Sequence, residues 1–324
     1  MALNCLLRPS RFLHDYLWAS LRSLCVFAPL RESYQLTITI ILVVLNATIA
    51  RAGEDEVTAA DQQMQAKLQA IADGVDGTFG VVVEDLAGEH RFEINADRQF
   101  TQASCIKTPI LLEVLKQAHE GKLSLADRHW VDQSDKTPGS GILFELGDHT
   151  VELSVEDLCV LMIASSDNTA TNMLIDQVGM ENVTATMASL GCSKTVLRRR
   201  MMDTAAAARG EENLSTPADA ARILRLLHEG KFVSPDVSDH ALAILRKPKP
   251  GAIRSTVPLS VPVPFKPGEL PGLLTEWALV ELPERPYIVV VMGTYNPKTS
   301  TDDALDAAMK QVGKEAYKFF KSVK

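Results

Sequence analysis

The sequence predicts an α+β fold: an antiparallel sheet of about five strands drawn from both chain ends and flanked by helices, plus an all-helical lobe from the middle. Three observations predict it. Residues 78–85 and 90–94 form two short apolar runs around the turn Leu86-Ala87-Gly88-Glu89, as a strand pair does. Residues 104–229 carry mainly helical periodicity, punctuated by Gly121, the Pro138-Gly139-Ser140-Gly141 loop, Gly179 and Gly191. Beyond Pro258 the strand pattern returns, with runs at 274–282 and 287–294 flanking Pro283-Glu284-Arg285-Pro286.

Taken in order, the elements carry their own start and stop signals. An apolar run at 36–50 follows a stretch holding Arg8, Arg11, Arg22 and Arg31, and Ala50-Arg51-Ala52 supplies a small-x-small cleavage site. Residues 1–52 are therefore read as an export signal, and the run is too short and too rich in Thr37, Thr39, Asn46 and Thr48 for a spanning helix. No membrane span is expected after cleavage, and the product is periplasmic or secreted. An amphipathic helix over 58–72 precedes the first strand pair. Ser104 opens a helix running through Ile110, Leu111, Leu112 and Leu115, with Pro109 near its start, where a missing N–H costs least. Ser154-Val155-Glu156-Asp157 has the form of a capping box, and the helix it opens extends to about residue 164. A second helix spans 169–179. Thr216 caps a further helix with Pro217 at its first position and Asp219 completing the box. His119 and His228 each sit in a His-Glu-Gly-Lys string that closes a helix. Residues 303–323 form the closing amphipathic helix. A single two-lobed domain over 53–324 results, its sheet lobe from 53–102 and 235–324 and its helical lobe from 103–234.

Charge and cysteine content exclude several classes. Formal net charge is −8; the first 52 residues hold five arginines against Asp15 and Glu32, a surplus of +3, which leaves −11 on the remainder. Nucleic acid is not an expected partner, since phosphate binding needs clustered cations. The one dense basic run, Arg198-Arg199-Arg200, reads as a salt-bridged loop. Cys105, Cys159 and Cys192 remain after processing, so at most one internal disulfide can form. No cysteine or histidine spacing matches a metal site, and neither metal nor other cofactor is expected. No serine carries the flanking glycines of an α/β-hydrolase elbow.

Three short motifs fall in order along the chain: Ser104-Cys105-Ile106-Lys107, Ser166-Asp167-Asn168 and Lys266-Pro267-Gly268. Ser104 and Lys107, three residues apart, share one helix face, so hydroxyl and amine can meet. A helix N-terminus beside that hydroxyl suits a developing oxyanion. The second motif occupies the bend between two helices, where Ser166 and Asn168 can project into a cleft while Asp167 turns inward to bond backbone.

S-x-x-K, S-D-N and K-T-G in this order are the signature of class A β-lactamases and penicillin-binding proteins, and from about Leu68 onward the chain resembles that superfamily of serine acyl-transferases. The resemblance implies that Ser104 is the nucleophile, Lys107 its base and Ser166 the proton relay to the leaving nitrogen. Asn168 would orient the substrate amide, and Lys266 and Gly268 would bind substrate. Pro267 departs from the pattern by removing a hydroxyl. A proline must lie at a sheet edge, and strand alternation then turns the N–H of Glu269 toward the cleft as second oxyanion donor, that of Ser104 being the first. Arg254 is a further candidate for the substrate carboxylate. A second departure concerns turnover: Met201 stands where the family's deacylating glutamate is expected, and Asp203, Glu211 and Glu212 do not match by spacing. The implied function is a β-lactamase-like hydrolase that opens β-lactams, with β-lactam catabolism and antibiotic resistance as its role, acting as a monomer. A peptidoglycan D-Ala peptidase, transpeptidase or esterase, and a non-hydrolytic binding descendant, stand as alternatives.

Overall fold

The computed structural model describes residues 59–323. The export segment read at 1–52 lies outside them. No helix among the described residues is long and apolar enough to cross a membrane.

A helix over 59–73 (α1) leads into β1 (Gly77–Asp85) and β2 (Arg91–Ile94). The Asp85 carboxylate shapes the turn between them by accepting from the N–H groups of Gly88, Glu89 and His90. Late in the chain β7 (Phe265–Leu270), β8 (Leu273–Val280) and β9 (Tyr287–Tyr295) follow, and the closing helix spans Asp302–Ser322. The five strands form one antiparallel sheet in the order β2-β1-β9-β8-β7, so both chain ends contribute, as expected. Its two central strands read as unbroken apolar runs because both faces are covered: Val81, Val82, Val83 and every residue from Ile288 to Met292 are fully buried. The closing helix packs on β8 and β9 on one face of the sheet.

The other face carries helices. The central one, α2 (Lys107–His119), is buried from Lys107 through Leu115 and packs against α3 (Val155–Ala164), α4 (Asn168–Val178), α5 (Met180–Ser189) and, later in the chain, Pro235–Leu245. A short helix α6 (Thr204–Ala208) precedes α7 (Pro217–His228), which packs on β1, β8 and β9 and joins the helices to the sheet. Pro235–Leu245 is α8, and the closing helix α9. Two small pairs complete the set: β3 (Phe100–Thr101) with β6 (Leu214–Ser215), and β4 (Arg128–Trp130) with β5 (Glu152–Ser154). The β4–β5 pair interrupts a stretch read as mainly helical, since three-residue strands are too short to show a period of two.

Local signals account for several boundaries. Ser154 and Asp157 make the expected capping box, with hydroxyl and carboxylate bonding each other's backbone N–H. At α7 the expected box is only half formed. Thr216 Oγ1 accepts from the Asp219 N–H, but the Asp219 carboxylate turns to the Lys194 N–H and the Thr195 hydroxyl, both at 3.0 Å. Tertiary partners outbid the local one. A third difference bears on the site: α2 begins at Lys107, and Ser104 lies ahead of it in a 3-10 turn, Ala103–Ile106, entered through Ala103 at φ 46°.

Candidate active site

Four of the residues singled out in the three motifs, Lys107, Ser166, Asn168 and Lys266, are joined by hydrogen bonds. The 3-10 turn eclipses residues three apart, so Ser104 sits one turn above Lys107, whose N–H donates to the Ser104 carbonyl. Ser104 is half-buried, whereas Lys107 is fully buried. Lys107 Nζ lies 2.5 Å from the Ser166 carbonyl oxygen, 2.9 Å from Asn168 Oδ1 and 3.0 Å from Ser166 Oγ. The first two oxygens only accept. A neutral amine satisfies both with its two N–H groups and keeps its lone pair for a hydroxyl. Burial drives Lys107 well below the ordinary lysine value, the Lys266 charge adds to this, and Asp167 opposes it.

Ser166 Oγ stands between two amines, with Lys266 Nζ 3.1 Å away on its other side. The backbone there is shaped for it: Ser166 adopts φ 55°, a sparsely populated region for a residue with a Cβ, of the sort that persists where surroundings over-determine it. Asp167 provides that determination. Its Oδ2 accepts from the N–H groups of Ile142 (2.7 Å) and Leu143 (2.9 Å), and its Oδ1 caps α4 through Ala170. Gly141 has to be glycine, since at φ 105° a Cβ would come within 2.2 Å of that carboxylate. Asn168 Nδ2 donates to the Pro138 carbonyl at 2.9 Å, so this amide joins Lys107 to the Pro138–Gly141 loop.

The third motif joins the same cluster through Lys266. Lys266 is fully buried, and burial lowers it to about 8, with Cys105 and Glu276 opposing. Strand β7 is the open edge of the sheet, where a proline is expected. The N–H groups of Leu279 and Glu281 donate to Pro264 and Pro262 oxygens, so by alternation the pairs 266/277 and 268/275 face each other through ladder bonds. Pro267 and Glu269 then direct their nitrogens off the edge, away from β8, and the proline costs the ladder nothing. Gly268 brings this edge against the Ser104 turn: a Cβ there would lie 2.7 Å from the Gln102 oxygen and 2.9 Å from the Cys105 nitrogen. Cys105 Sγ donates to the Lys266 carbonyl at 3.0 Å across the same contact.

Arg254 is placed otherwise. Its guanidinium donates to the carbonyls of Val257 (2.9 Å) and Pro258 (3.4 Å), closing its own turn, and makes no hydrogen bond to the Ser166 and lysine cluster among the described residues. Met201 lies beside α4, where Asn172 holds its main chain from both sides, accepting from its N–H (2.8 Å) and donating to its carbonyl (3.1 Å). The sequence singled out no role for Asn172; its signal was its place four residues after Asn168, on the same helix face. The three carboxylates of that loop are engaged elsewhere: Asp203 caps α6, Glu211 pairs with Arg209 and Glu212 with Arg199. Arg200 pairs with Asp176, so two of the three consecutive arginines are salt-bridged. Cys105, Cys159 and Cys192 are all free and buried.

Among the described residues, the metal-ligating side chains that gather closely are Asp85, Glu89 and His90 at the β1–β2 turn. They are already engaged: Arg285 bonds both carboxylates and Asp61 the imidazole. This is a lock on the turn.

Comparison with known proteins adds to the geometry. Residues 63–320 match the model of a family described as the beta-lactamase enzyme family. A beta-lactamase of Citrobacter koseri is 29% identical over 170 residues, 52% of this chain and 57% of that protein. Beta-lactamase L2 of Stenotrophomonas maltophilia is 31% identical over 184 residues, 54% of this chain and 60% of that protein. The chain thus spans less than two thirds of the length of these two relatives. A crystal structure of a beta-lactamase from Sphaerobacter thermophilus superimposes with a TM-score of 0.72 at 31% identity, covering 81% of this chain and 98% of the other.

Proposed function

This chain belongs to the beta-lactamase enzyme family, and from that premise we propose that it is a serine hydrolase which opens β-lactam amides through an acyl-enzyme on Ser104. The observation that carries the reading is the single hydroxyl of Ser166 held between two amines, 3.0 Å from Lys107 and 3.1 Å from Lys266.

Each residue has a step. Neutral Lys107 takes the Ser104 proton as the Oγ attacks the lactam carbonyl, and the carbonyl π electrons move to the oxygen. The N–H groups of Ser104 and Glu269 receive that oxyanion. As the C–N bond breaks, Ser166 passes its proton to the ring nitrogen and is reprotonated from Lys107. Lys266, still charged, attracts the substrate carboxylate, and Gly268 keeps the strand close enough to the nucleophile. Asn168 holds Lys107 and presents its loop to the substrate amide. Export of the chain would place this chemistry where β-lactams and wall peptides are met.

Time-resolved intact-protein mass spectrometry with a β-lactam tests the reading. A transient adduct that vanishes in Ser104→Ala supports it, and an adduct of unchanged yield in that variant overturns it. A penicillin-binding transferase is the second reading, favoured by Met201 at the position expected for the deacylating glutamate. An adduct that outlasts the experiment selects it.

The pH dependence follows from the two lysines. Acylation needs Lys107 neutral, so the rate of adduct formation rises with pH through a value well below the ordinary lysine range. It needs Lys266 charged, so the rate falls again above about pH 8. Lys266→Arg, which stays charged, is expected to extend the plateau past pH 9. A profile still falling near 8 in that variant would assign the limb elsewhere. Stability moves in one direction. Lys266 titrates at about 8 folded and near 10.4 unfolded, so the cost of its buried charge is fully borne below 8 and relieved as pH rises between those values.

A further inference from the structure

The two N–H groups given to the oxyanion come from different segments, Ser104 from the 3-10 turn and Glu269 from β7. Among the described residues, no main-chain hydrogen bond joins that turn to that strand. An oxyanion site works only if its donors stand at fixed distances from the place where charge develops. The spacing of these two is therefore left to side chains, and the side chains that span the gap come from β8.

Register sets Trp277 of β8 opposite Lys266 and Thr275 opposite Gly268, so Thr275 and Trp277 share the sheet face that meets the turn. Both reach one residue, Gln102, which is fully buried just ahead of Ala103 and its positive φ. Trp277 Nε1 donates to Gln102 Oε1 at 3.0 Å, and the Thr275 hydroxyl donates to the Gln102 main-chain carbonyl at 3.1 Å. The Gln102 N–H donates to the Asn213 carbonyl and its Nε2 to the Phe100 carbonyl, each at 2.9 Å, so the residue that starts the turn is gripped through main chain and side chain alike. Thr275 Oγ1 also lies 3.1 Å from Cys105 Sγ and 3.5 Å from the Gly268 carbonyl oxygen. Sulfur is the weaker acceptor, so the single hydroxyl hydrogen goes to Gln102. Gly268 leaves room for this contact, since a Cβ there would stand 2.6 Å from Thr275 Oγ1.

Packing does not call for this hydroxyl. Valine would fill the same space on a buried strand, and the Gln102 carbonyl already accepts from the Cys105 N–H at 3.0 Å. What the hydroxyl adds is a bond from the sheet to the turn, made beside the strand that bears Glu269.

We propose that Thr275 is a positioning residue for the oxyanion site: its hydroxyl, with Trp277 on the Gln102 side chain, fixes the Ser104 turn against β7 and so sets the spacing of the Ser104 and Glu269 N–H groups. It touches no substrate. The proposal rests on the roles given above to those two N–H groups. Thr275→Val keeps the volume and loses the hydroxyl hydrogen, whereas Thr275→Ser keeps the hydroxyl and loses a methyl. The limiting rate of β-lactam adduct formation is expected to fall about tenfold in Thr275→Val, less than the roughly 10²–10³-fold cost of losing an entire donor, with the half-saturating concentration held within about twofold. Thr275→Ser should acylate within about twofold of the parent rate although it has the lower melting temperature of the two. Rate then follows the hydroxyl and stability the methyl; a solely structural role would make both follow the methyl. A parent rate in Thr275→Val, a loss confined to half-saturation, or an equal loss in Thr275→Ser overturns the proposal. If Thr275→Val does not fold, Thr275→Ala takes its place in the same comparison with Thr275→Ser. If the parent protein forms no adduct, the proposed function falls, and the clamp is decided by amide hydrogen exchange at Cys105, whose N–H bonds the Gln102 carbonyl. Exchange about tenfold faster in Thr275→Val and restored in Thr275→Ser keeps the clamp, and unchanged exchange ends it.

Discussion

Replacing Lys107 with Met is expected to slow adduct formation on Ser104 by about 10²–10⁴-fold, the usual worth of a positioned general base. Methionine keeps the unbranched length of the side chain and removes only the amine. The Ser166 carbonyl, the Ser166 hydroxyl and Asn168 Oδ1 all bond that amine, so the variant leaves acceptors without a donor, at about 1–3 kcal/mol for each one that water cannot reach. Removing a buried amine recovers part of that cost. Rate and stability are therefore read separately: stopped-time mass spectrometry for the adduct, denaturant unfolding for the fold. A folded variant acylated at the parent rate would show that Ser104 is activated by another group.

Met201→Glu is expected to have the second large effect, on the other half of the reaction. Asn172 holds residue 201 through main-chain atoms on both sides, so the exchange changes the side chain and leaves its anchor in place. A glutamate there would add a general base to deacylation: it takes a proton from water as the water oxygen attacks the ester, which general-base catalysis speeds by about 10²–10⁴-fold. The lifetime of the β-lactam adduct should fall by that order while its rate of formation holds. An unchanged lifetime would mean that the deacylating water is positioned elsewhere, or that the acyl group denies it room. Met201 is largely buried, so a lowered melting temperature is expected alongside, and the adduct lifetime alone tells a functioning carboxylate from a misplaced one.

The two predictions differ in how far they could be read from residues alone. Lys107 stood out because Ser-x-x-Lys spacing is local: residues three apart share one helix face wherever that turn is placed. The capping box at Ser154, the turn at Gly88 and the helix end at Gly179 were legible for the same reason. Ser104 in a 3-10 turn was not, because Ala103 is held at positive φ by its surroundings, against its own preference. Asp219 reads as the second half of a capping box, yet Lys194 and Thr195 take its carboxylate. Arg254 reads as a free cation near the third motif, and its guanidinium is drawn into the carbonyls of its own turn. Thr275 gave no sign at all, since one hydroxyl in an apolar run looks like the solvent face of a strand.

Chemistry written into neighbours along the chain was legible before folding: a serine three residues from a lysine, the inward Asp167, the proline confined to an edge. Propensity, capping and period act over a few residues, and such spans are what a sequence displays. Folding alone brought Ser166 between Lys107 and Lys266, which lie 59 and 100 residues from it. Burial, charge coupling and the choice among competing hydrogen-bond partners depend on every group within a few ångströms, and those groups come from remote parts of the chain.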